Sequence, residues 1–224
     1  MVGNDRRVPN GEPEIEARAA DRLIFFSDAV VAIAITLLAI DLPVPTGHTA
    51  PEFWASVRQN DGHYAAFLIS FTVIAATWSH HHDVFRYAER SDTRIRSLNM
   101  IWLLMIVLTP FATKLLTSIG PESAGVRALQ FGFYALLQAL GSAVFLAMAR
   151  HMVSHHLEAA EAPPGVITDT SWQSGAQVAG FGLSIPVFFL TPYAWVLWFA
   201  VPVLAARLRR SRRRNPDRPE PPGP

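Results

Sequence analysis

The stretch RLIFFSDAVVAIAITLLAIDLPVP, residues 22–45, decides the fold. Residues 23–42 are almost entirely apolar, which matches the roughly 20 apolar residues that a helix needs to cross a bilayer. Arg22, Ser27 and Asp28 lie in or just before its first two turns, and prolines follow its end. The run is too long for the apolar core of a signal peptide and lacks a small-residue cleavage site. It is therefore predicted to be a retained first membrane span.

Five further apolar segments follow the first one. The chain has 224 residues, of which half are hydrophobic and only 17% are charged. A soluble domain carries about 25% charged residues and shorter apolar runs. The predicted fold class is therefore an all-α integral membrane protein with six transmembrane helices. Their predicted bounds are residues 23–42, 64–87, 97–119, 126–150, 174–190 and 193–208.

Lysines and arginines are unevenly distributed along the chain. They concentrate in the N-terminal segment, in the loop after the second predicted span and in the C-terminal tail. Since basic residues mark cytoplasmic loops, both termini are predicted to be cytoplasmic. The predicted parts are a cytoplasmic N-terminal segment (1–18), a six-helix transmembrane domain (19–208) and a disordered, basic, proline-rich cytoplasmic tail (209–224).

The arginine-rich tail has two candidate partners, anionic lipid and nucleic acid. No aromatic residue is interleaved among the arginines of residues 207–218 to stack on bases. A polybasic segment beside a membrane helix attracts anionic lipid. Anionic lipid is therefore the predicted partner of the tail, and no nucleic acid is expected.

Polar residues on the first two predicted spans lie near the same side of the membrane. A charge at the centre of a span costs at least about 2.5 kcal/mol, so such charges are usually paired. The second span ends with three histidines, so Arg22, Asp28 and one of His80, His81 and His82 can meet between the helices. Such a group either locks the two helices together or senses protons, and the sequence leaves both interpretations open.

The triple histidine does not predict a metal centre. Adjacent helical residues point about 100° apart, so three consecutive histidines cannot bind one ion. The chain has no HExxH motif and no cysteine. It also lacks GxSxG, P-loop and GxGxxG motifs. Neither a catalytic site nor a cofactor is predicted.

Ile33, Leu37 and Ile40 form an apolar stripe on the first span. Their spacing of i, i+4 and i+7 places them on one side of a helix. Asp28 lies five residues before Ile33 and therefore on a different side. Spacing alone favours ordinary packing of this stripe against lipid or another helix.

Three ordered motifs resemble the potassium channels of the transmembrane protein 175 type, in their single-repeat bacterial form. The first is RLIFFSD followed by AIAITLL, within residues 22–38. The second is WSHHHDVF at residues 78–85, and the third pairs LN at 98–99 with PF at 110–111. His80 departs from the family pattern, which often has asparagine there.

The resemblance implies a homotetramer whose first helices line a central potassium-permeable pore. In this family, hydrophobic side chains of the first helix form the filter, and the chain has no TVGYG-like carbonyl loop. By position, Ile33 is the principal constriction, Leu37 and Ile40 are further apolar layers, and Thr36 contributes a hydroxyl. Residues 19–208 would then be the channel domain, with potassium as the permeant ion.

The resemblance also implies a polar network between helices that holds the pore helix, and a location in the inner cell membrane. The residues assigned to this network are Arg22, Ser27, Asp28, Trp78 and His81.

The alternatives to a channel are a proton-coupled secondary transporter, a non-transporting membrane scaffold and a membrane-embedded hydrolase. A transporter would use Asp28 and the histidines. Transporters commonly bind substrate at helices interrupted by Gly or Pro, and the early spans contain no such interrupted pair.

Overall fold

The regular structure of the chain is helical throughout the part that is described. The computed structural model describes residues 11–88, 92–118, 123–159, 162–163 and 165–214, with side chains described between residues 21 and 211. These residues form seven α-helices and one 3₁₀ turn, Ala194–Val196. The α-helices are α1 (Gly11–Ile40), α2 (Ala50–Gln59), α3 (Asp61–Phe85), α4 (Thr93–Leu116), α5 (Ala124–Ser154), α6 (Val166–Phe188) and α7 (Leu197–Arg214).

Within the described ranges, three helical segments have the length and apolar composition needed to cross a membrane. They are Asp21–Ile40, Thr93–Leu116 and Ala124–Ser154, on α1, α4 and α5. The prediction of an all-helical membrane protein is therefore confirmed in its coarse form. The count of six spans, which adds α3, α6 and α7, stays a prediction.

Side-chain contacts define which helix ends lie together. They place the middle of α1, around Ser27 and Asp28, and the starts of α4 and α6 beside the ends of α3, α5 and α7. We call this the arginine-rich end, because most of the arginines of the sequence flank these helix ends. The contacts are Ser27–Asn99, Asp28–Trp78, Asp92–His151 and Asp169–Arg209.

In the part of the chain that the structure describes, two buried apolar clusters hold the helices together. One lies between α1, α3, α4 and α5 towards the arginine-rich end. In the other, the Trp198 ring stacks on Phe131 and Tyr134 with ring centroids 5.2 and 5.0 Å apart. The Trp198 indole also donates to Ser184 Oγ at 2.8 Å, so its N–H is satisfied. Because lipid is as apolar as these side chains, close packing contributes more here than removal from water.

The last two helices differ from their predicted bounds. α6 begins at Val166 rather than at residue 174. Its first turns are polar, and the hydroxyls of Thr170 and Ser171 are satisfied there by donating to carbonyl oxygens of the same helix. α7 continues to Arg214, so the prediction that the tail is disordered from residue 209 is wrong for residues 209–214. Arginine is a good helix former, and Arg209 forms an ion pair with Asp169 of α6.

The two terminal segments of the prediction are only partly described. α1 begins at Gly11, inside the predicted N-terminal segment. Residues 1–10 and 215–224 of the predicted segments lie outside the described residues.

A short helix, α2, was not among the predicted elements. Thr49 caps it by accepting a hydrogen bond from the Glu52 backbone N–H, and Glu52 Oε2 accepts from the His48 N–H at 2.8 Å. The spacing Thr-x-x-Glu is a helix-start signal that could have revealed it. Phe53 and Trp54 are exposed on this helix, away from the arginine-rich end.

Candidate functional site

The helix α1 has a buried face and an exposed face. Ser27, Val31, Ala34 and Leu38 are buried, and their spacing of i, i+4, i+7 and i+11 places them on one side. This side packs against α3 and α4. The rotation of α1 within the subunit is therefore set by this buried stripe.

The opposite face of α1 carries the predicted constriction residues. Ile33 is 60% exposed, Leu37 41% and Ile40 74%, so all three point away from the described helices of their own subunit. The Thr36 hydroxyl is exposed on the same face and donates to the Ile33 carbonyl oxygen at 2.8 Å. Its oxygen lone pairs remain available to a hydrated ion or to water. Such an apolar face on a membrane helix can contact lipid or another subunit.

Asp28 is bound to α3 by a tryptophan. Trp78 Nε1 donates to Asp28 Oδ1 at 2.8 Å, and the His82 ring lies 5.7 Å from the Trp78 ring. The sequence suggested a histidine as the partner of Asp28. In the described residues, the group that donates to Asp28 is the indole of Trp78.

A second polar chain, wholly buried, joins α1, α4 and α3. Ser27 Oγ donates to the Leu23 carbonyl oxygen and accepts from Asn99 Nδ2 at 2.9 Å. The Asn99 amide oxygen is therefore left to face His81 Nε2, 2.9 Å away. Because an amide oxygen only accepts, Nε2 of His81 carries a proton in this arrangement.

The His81 ring is fixed by aromatic packing as well as by Asn99. It stacks on Phe85 and Trp102, with ring centroids 4.2 and 4.4 Å away. His81 is fully buried, and its Nδ1 has no hydrogen-bond partner among the described residues. The ring thus lies inside the helix bundle rather than on the exposed face of α1.

Arg22 is separate from both polar contacts. Its side chain is exposed at the arginine-rich end, and no contact with Asp28 is seen in the described part of the chain. Of the five network residues predicted from the sequence, the structure joins Asp28 to Trp78 directly. It joins Ser27 to His81 through Asn99.

Asn99 is the functional candidate that the sequence reasoning missed. It was used there only as part of a motif, without a role. A polar amide inside the apolar run LNMIWLLM is itself a signal, because such a group needs a partner within a membrane. A further buried network joins Ser70 to Thr113 and Tyr134 at 2.7 and 3.1 Å.

The residues that the structure describes contain no cluster of three His, Asp or Glu side chains placed to hold a metal ion. The three consecutive histidines near the end of α3 illustrate the reason, since His81 binds Asn99 and His82 lies against Trp78.

Comparisons with known proteins agree on one family. Residues 22–110 match the family described as endosomal/lysosomal potassium channel TMEM175. A potassium channel of Streptomyces collinus is 30% identical over 173 residues, which cover 76% of this chain and 82% of the relative. The human endosomal/lysosomal proton channel TMEM175 is 26% identical over 112 residues, or 49% of this chain and 22% of the human protein.

A solved structure shows the same fold. The crystal structure of a lysosomal potassium-selective channel TMEM175 homologue from Chamaesiphon minutus aligns with a TM-score of 0.68 and 24% identity. The alignment covers 86% of this chain and 98% of that one. The matched region of the sequence begins at Arg22 and ends at Pro110, so it contains α1 from Arg22 onward, the whole of α3 and the polar contacts between them. This chain belongs to the TMEM175 family, a family of ion channels and not of enzymes.

Proposed function

We propose that this protein is a potassium-permeable cation channel, formed by four copies whose α1 helices line one central pore. The observation that carries the proposal is the exposed face of α1, where Ile33, Leu37 and Ile40 project away from their own subunit. One first helix cannot enclose a pore by itself. Four copies arranged around this face would bring these three residues into three successive rings.

The proposed constriction is apolar and short. Ile33 and Ile40 are seven residues apart, which corresponds to about 10 Å along a helix. Rings of Ile and Leu offer no ligands, so a cation passes them at least partly hydrated, or the rings lose water and close. Potassium loses hydration water more easily than sodium, and selectivity for potassium follows from that difference. Thr36 supplies the nearby hydroxyl for water or ion contact.

The polar contacts on the other side of α1 support the same proposal. Trp78 binds Asp28, and Asn99 binds Ser27, both on sides of α1 that face the bundle. These contacts hold the helix in one rotation without placing charge in the pore. We assign them the role of fixing the direction in which Ile33 points.

Potassium is the proposed permeant ion because of the names of the more similar relatives. The Streptomyces and Chamaesiphon proteins, 30% and 33% identical, are named potassium channels. The vertebrate proteins are 22–26% identical and are named proton channels. No cofactor is part of the proposal.

The proposed location is the inner cell membrane. The arginine-rich end would face the cytoplasm, with six spans and both termini on that side, because basic residues favour that side. The arginines at the end of α7 and beyond would lie against anionic lipid.

Ion flux into proteoliposomes tests the proposal. Wild type should carry potassium faster than sodium, and Ile33→Asn should reduce that ratio because a polar ring stays hydrated. The matched control is Leu140→Asn, since Leu140 is 48% exposed on α5, which packs mainly on α4 and α6. The control should leave the ratio unchanged.

Other outcomes point to the alternatives. An unchanged potassium-to-sodium flux ratio in Ile33→Asn would show that the protein is a channel whose filter is not formed by Ile33 of α1. Proton flux without potassium flux, read with a pH-sensitive dye, would assign the proton as permeant ion. Flux that saturates with substrate and follows a pH gradient would favour a transporter, and no flux would favour a scaffold.

A further inference from the structure

A groove runs between α5, α6 and α7, away from α1. Its volume is about 630 Å³, which is within the ~300–1,000 Å³ typical of small-molecule sites. It extends along α6 from Thr168 to Ala179, which corresponds to about 16 Å of helix. The groove begins at the arginine-rich end and continues towards the middle of the bundle.

The groove is polar at one end and apolar along the rest. Gly175, Ala176, Ala179, Val201 and Ala205 line the deeper part. These side chains are small and apolar, so the deeper part of the groove suits a hydrocarbon chain. A side chain added at Gly175 would meet no atom within 4 Å, so the space there is open.

Two arginines stand at the polar end. Arg209 pairs with Asp169 Oδ1 at 2.6 Å and lies 5.8 Å from the Trp172 ring centre. Arg150 is exposed, and no carboxylate of the described residues lies within 4 Å of its guanidinium. Among the described residues that line this end and their ion-pair partner, two arginines stand against one aspartate, which leaves an excess of positive charge.

We propose that this groove binds an anionic phospholipid of the leaflet at the arginine-rich end. One acyl chain would lie along the small residues of α6 and α7. The phosphate would lie at Arg150, the exposed arginine that lines the polar end of the groove. This site lies between helices of the bundle, its phosphate contact would be Arg150 of α5 rather than an arginine of the C-terminal tail, and it does not depend on which ion the channel carries.

Charge complementarity favours lipid over a second copy of the chain as the occupant. Copies in one membrane share one orientation, so a neighbouring copy would bring its own arginine-rich end to the same depth. That contact would place arginines against arginines, which costs free energy. A phosphate brings the opposite charge and hydrogen-bonds well to a guanidinium.

Native mass spectrometry of the purified assembly tests the site. The probes are phosphatidylglycerol and phosphatidylcholine with identical acyl chains. Wild type should retain phosphatidylglycerol at lower added concentration than phosphatidylcholine. Gly175→Leu should weaken phosphatidylglycerol retention by at least about tenfold, because the new side chain fills the open groove. Arg150→Gln should reduce the preference for phosphatidylglycerol by about fivefold, the effect of one arginine near an anionic lipid.

Gly182→Leu is the matched control. Gly182 is on the same helix and also has open space around it, but it does not line the groove. It should bind lipid as wild type does. Equal retention in Gly175→Leu and wild type would overturn the site, and equal retention of the two lipids would overturn its anionic character. A change of subunit number in Gly175→Leu alone would show that a second copy covers the groove.

Discussion

Trp78 Nε1 donates to Asp28 Oδ1 at 2.8 Å and thereby ties α3 to α1. Asp28 and Ile33 are five residues apart, so they point about 140° away from each other around the helix. Binding Asp28 to α3 therefore turns Ile33 away from the bundle, where it is 60% exposed. The contact and the direction of the proposed constriction are two consequences of one helix rotation.

Trp78→Phe should loosen this arrangement while keeping an aromatic ring. The Asp28 carboxylate loses its donor, and a hydrogen bond to a charged group contributes about 1.5–3 kcal/mol. We expect a lower unfolding temperature in detergent and a lower potassium-to-sodium flux ratio, because α1 can rotate. Differential scanning fluorimetry and proteoliposome flux measure the two effects.

The control for this prediction is Trp54→Phe. Trp54 is an exposed tryptophan on α2, at a distance along the chain from the polar contacts. It should leave both stability and selectivity close to wild type. If Trp78→Phe also left both unchanged, the assignment of Trp78 as the anchor of α1 would be wrong.

The buried Asn99–His81 pair gives a second prediction. Asn99→Leu leaves the His81 Nε2–H without an acceptor, and an unsatisfied buried donor costs about 1–3 kcal/mol. His81→Phe keeps the stacking on Phe85 and Trp102 but leaves the Asn99 amide oxygen without its donor. Each single variant should unfold at a lower temperature, by about 2–4 °C for each kcal/mol in a chain of this size.

The double variant is the decisive part of that experiment. Asn99→Leu with His81→Phe removes both partners, so it should be less destabilised than the sum of the single variants by about 0.5–3 kcal/mol. Strict additivity would contradict a direct bond between the two side chains.

The sequence predicted the parts of the fold that depend on apolar length. The run ending before Pro43 gave α1, and similar runs gave α3, α4 and α5 within a few residues at most ends. Apolar length did not predict the helical segments that consist mainly of polar residues. In the first turns of α6, the Thr170 hydroxyl bonds to its own helix, and Arg209 near the end of α7 pairs with Asp169 of α6. A pattern of apolar residues does not reveal such polar contacts.

For the candidate site, the sequence placed the exposed stripe but not the partners behind it. Ile33, Leu37 and Ile40 share a face by helical periodicity alone. The choice between Trp78 and a histidine as the donor to Asp28 depends on the rotation of α3 against α1. The role of Asn99 becomes visible only once α4 is packed against α1 and α3. Pairings across three helices require tertiary structure.

Asp92 at the start of α4 gives a pH prediction outside the membrane spans. Burial by itself would raise the pKa of Asp92, but hydrogen bonds from His151 and the Ile95 N–H lower the pKa below its ordinary value. The stabilisation of the folded state by ionised Asp92 is therefore fully present above the ordinary aspartate pKa of about 3.9. It is lost as the pH falls through the lower pKa that Asp92 has in the folded protein. The unfolding temperature of wild type should exceed that of Asp92→Asn at pH 6, and the difference should shrink towards pH 3.

The effect should be small, under about 1 kcal/mol, because the Asp92 side chain is 40% exposed. Asparagine also caps helices well, so α4 should still begin at the same residue in the variant. In a His151→Phe background, Asp92→Asn should produce a weaker pH-dependent difference. A difference that grows towards pH 3 would refute the direction of the pKa shift.

The crossing of α6 and α7 depends on the absence of a side chain at Gly180. A Cβ atom there would lie 2.7 Å from the Leu197 carbonyl oxygen and 3.4 Å from Val201 Cβ, so the helices would have to separate. Small residues allow such close approach in membrane bundles, and overpacking costs about 1–3 kcal/mol. Gly180→Ala should therefore lower the unfolding temperature, whereas Gly182→Ala, with open space, should keep or raise it. Scanning fluorimetry of both variants in one detergent measures this, and equal unfolding temperatures would show that α6 and α7 adjust without cost.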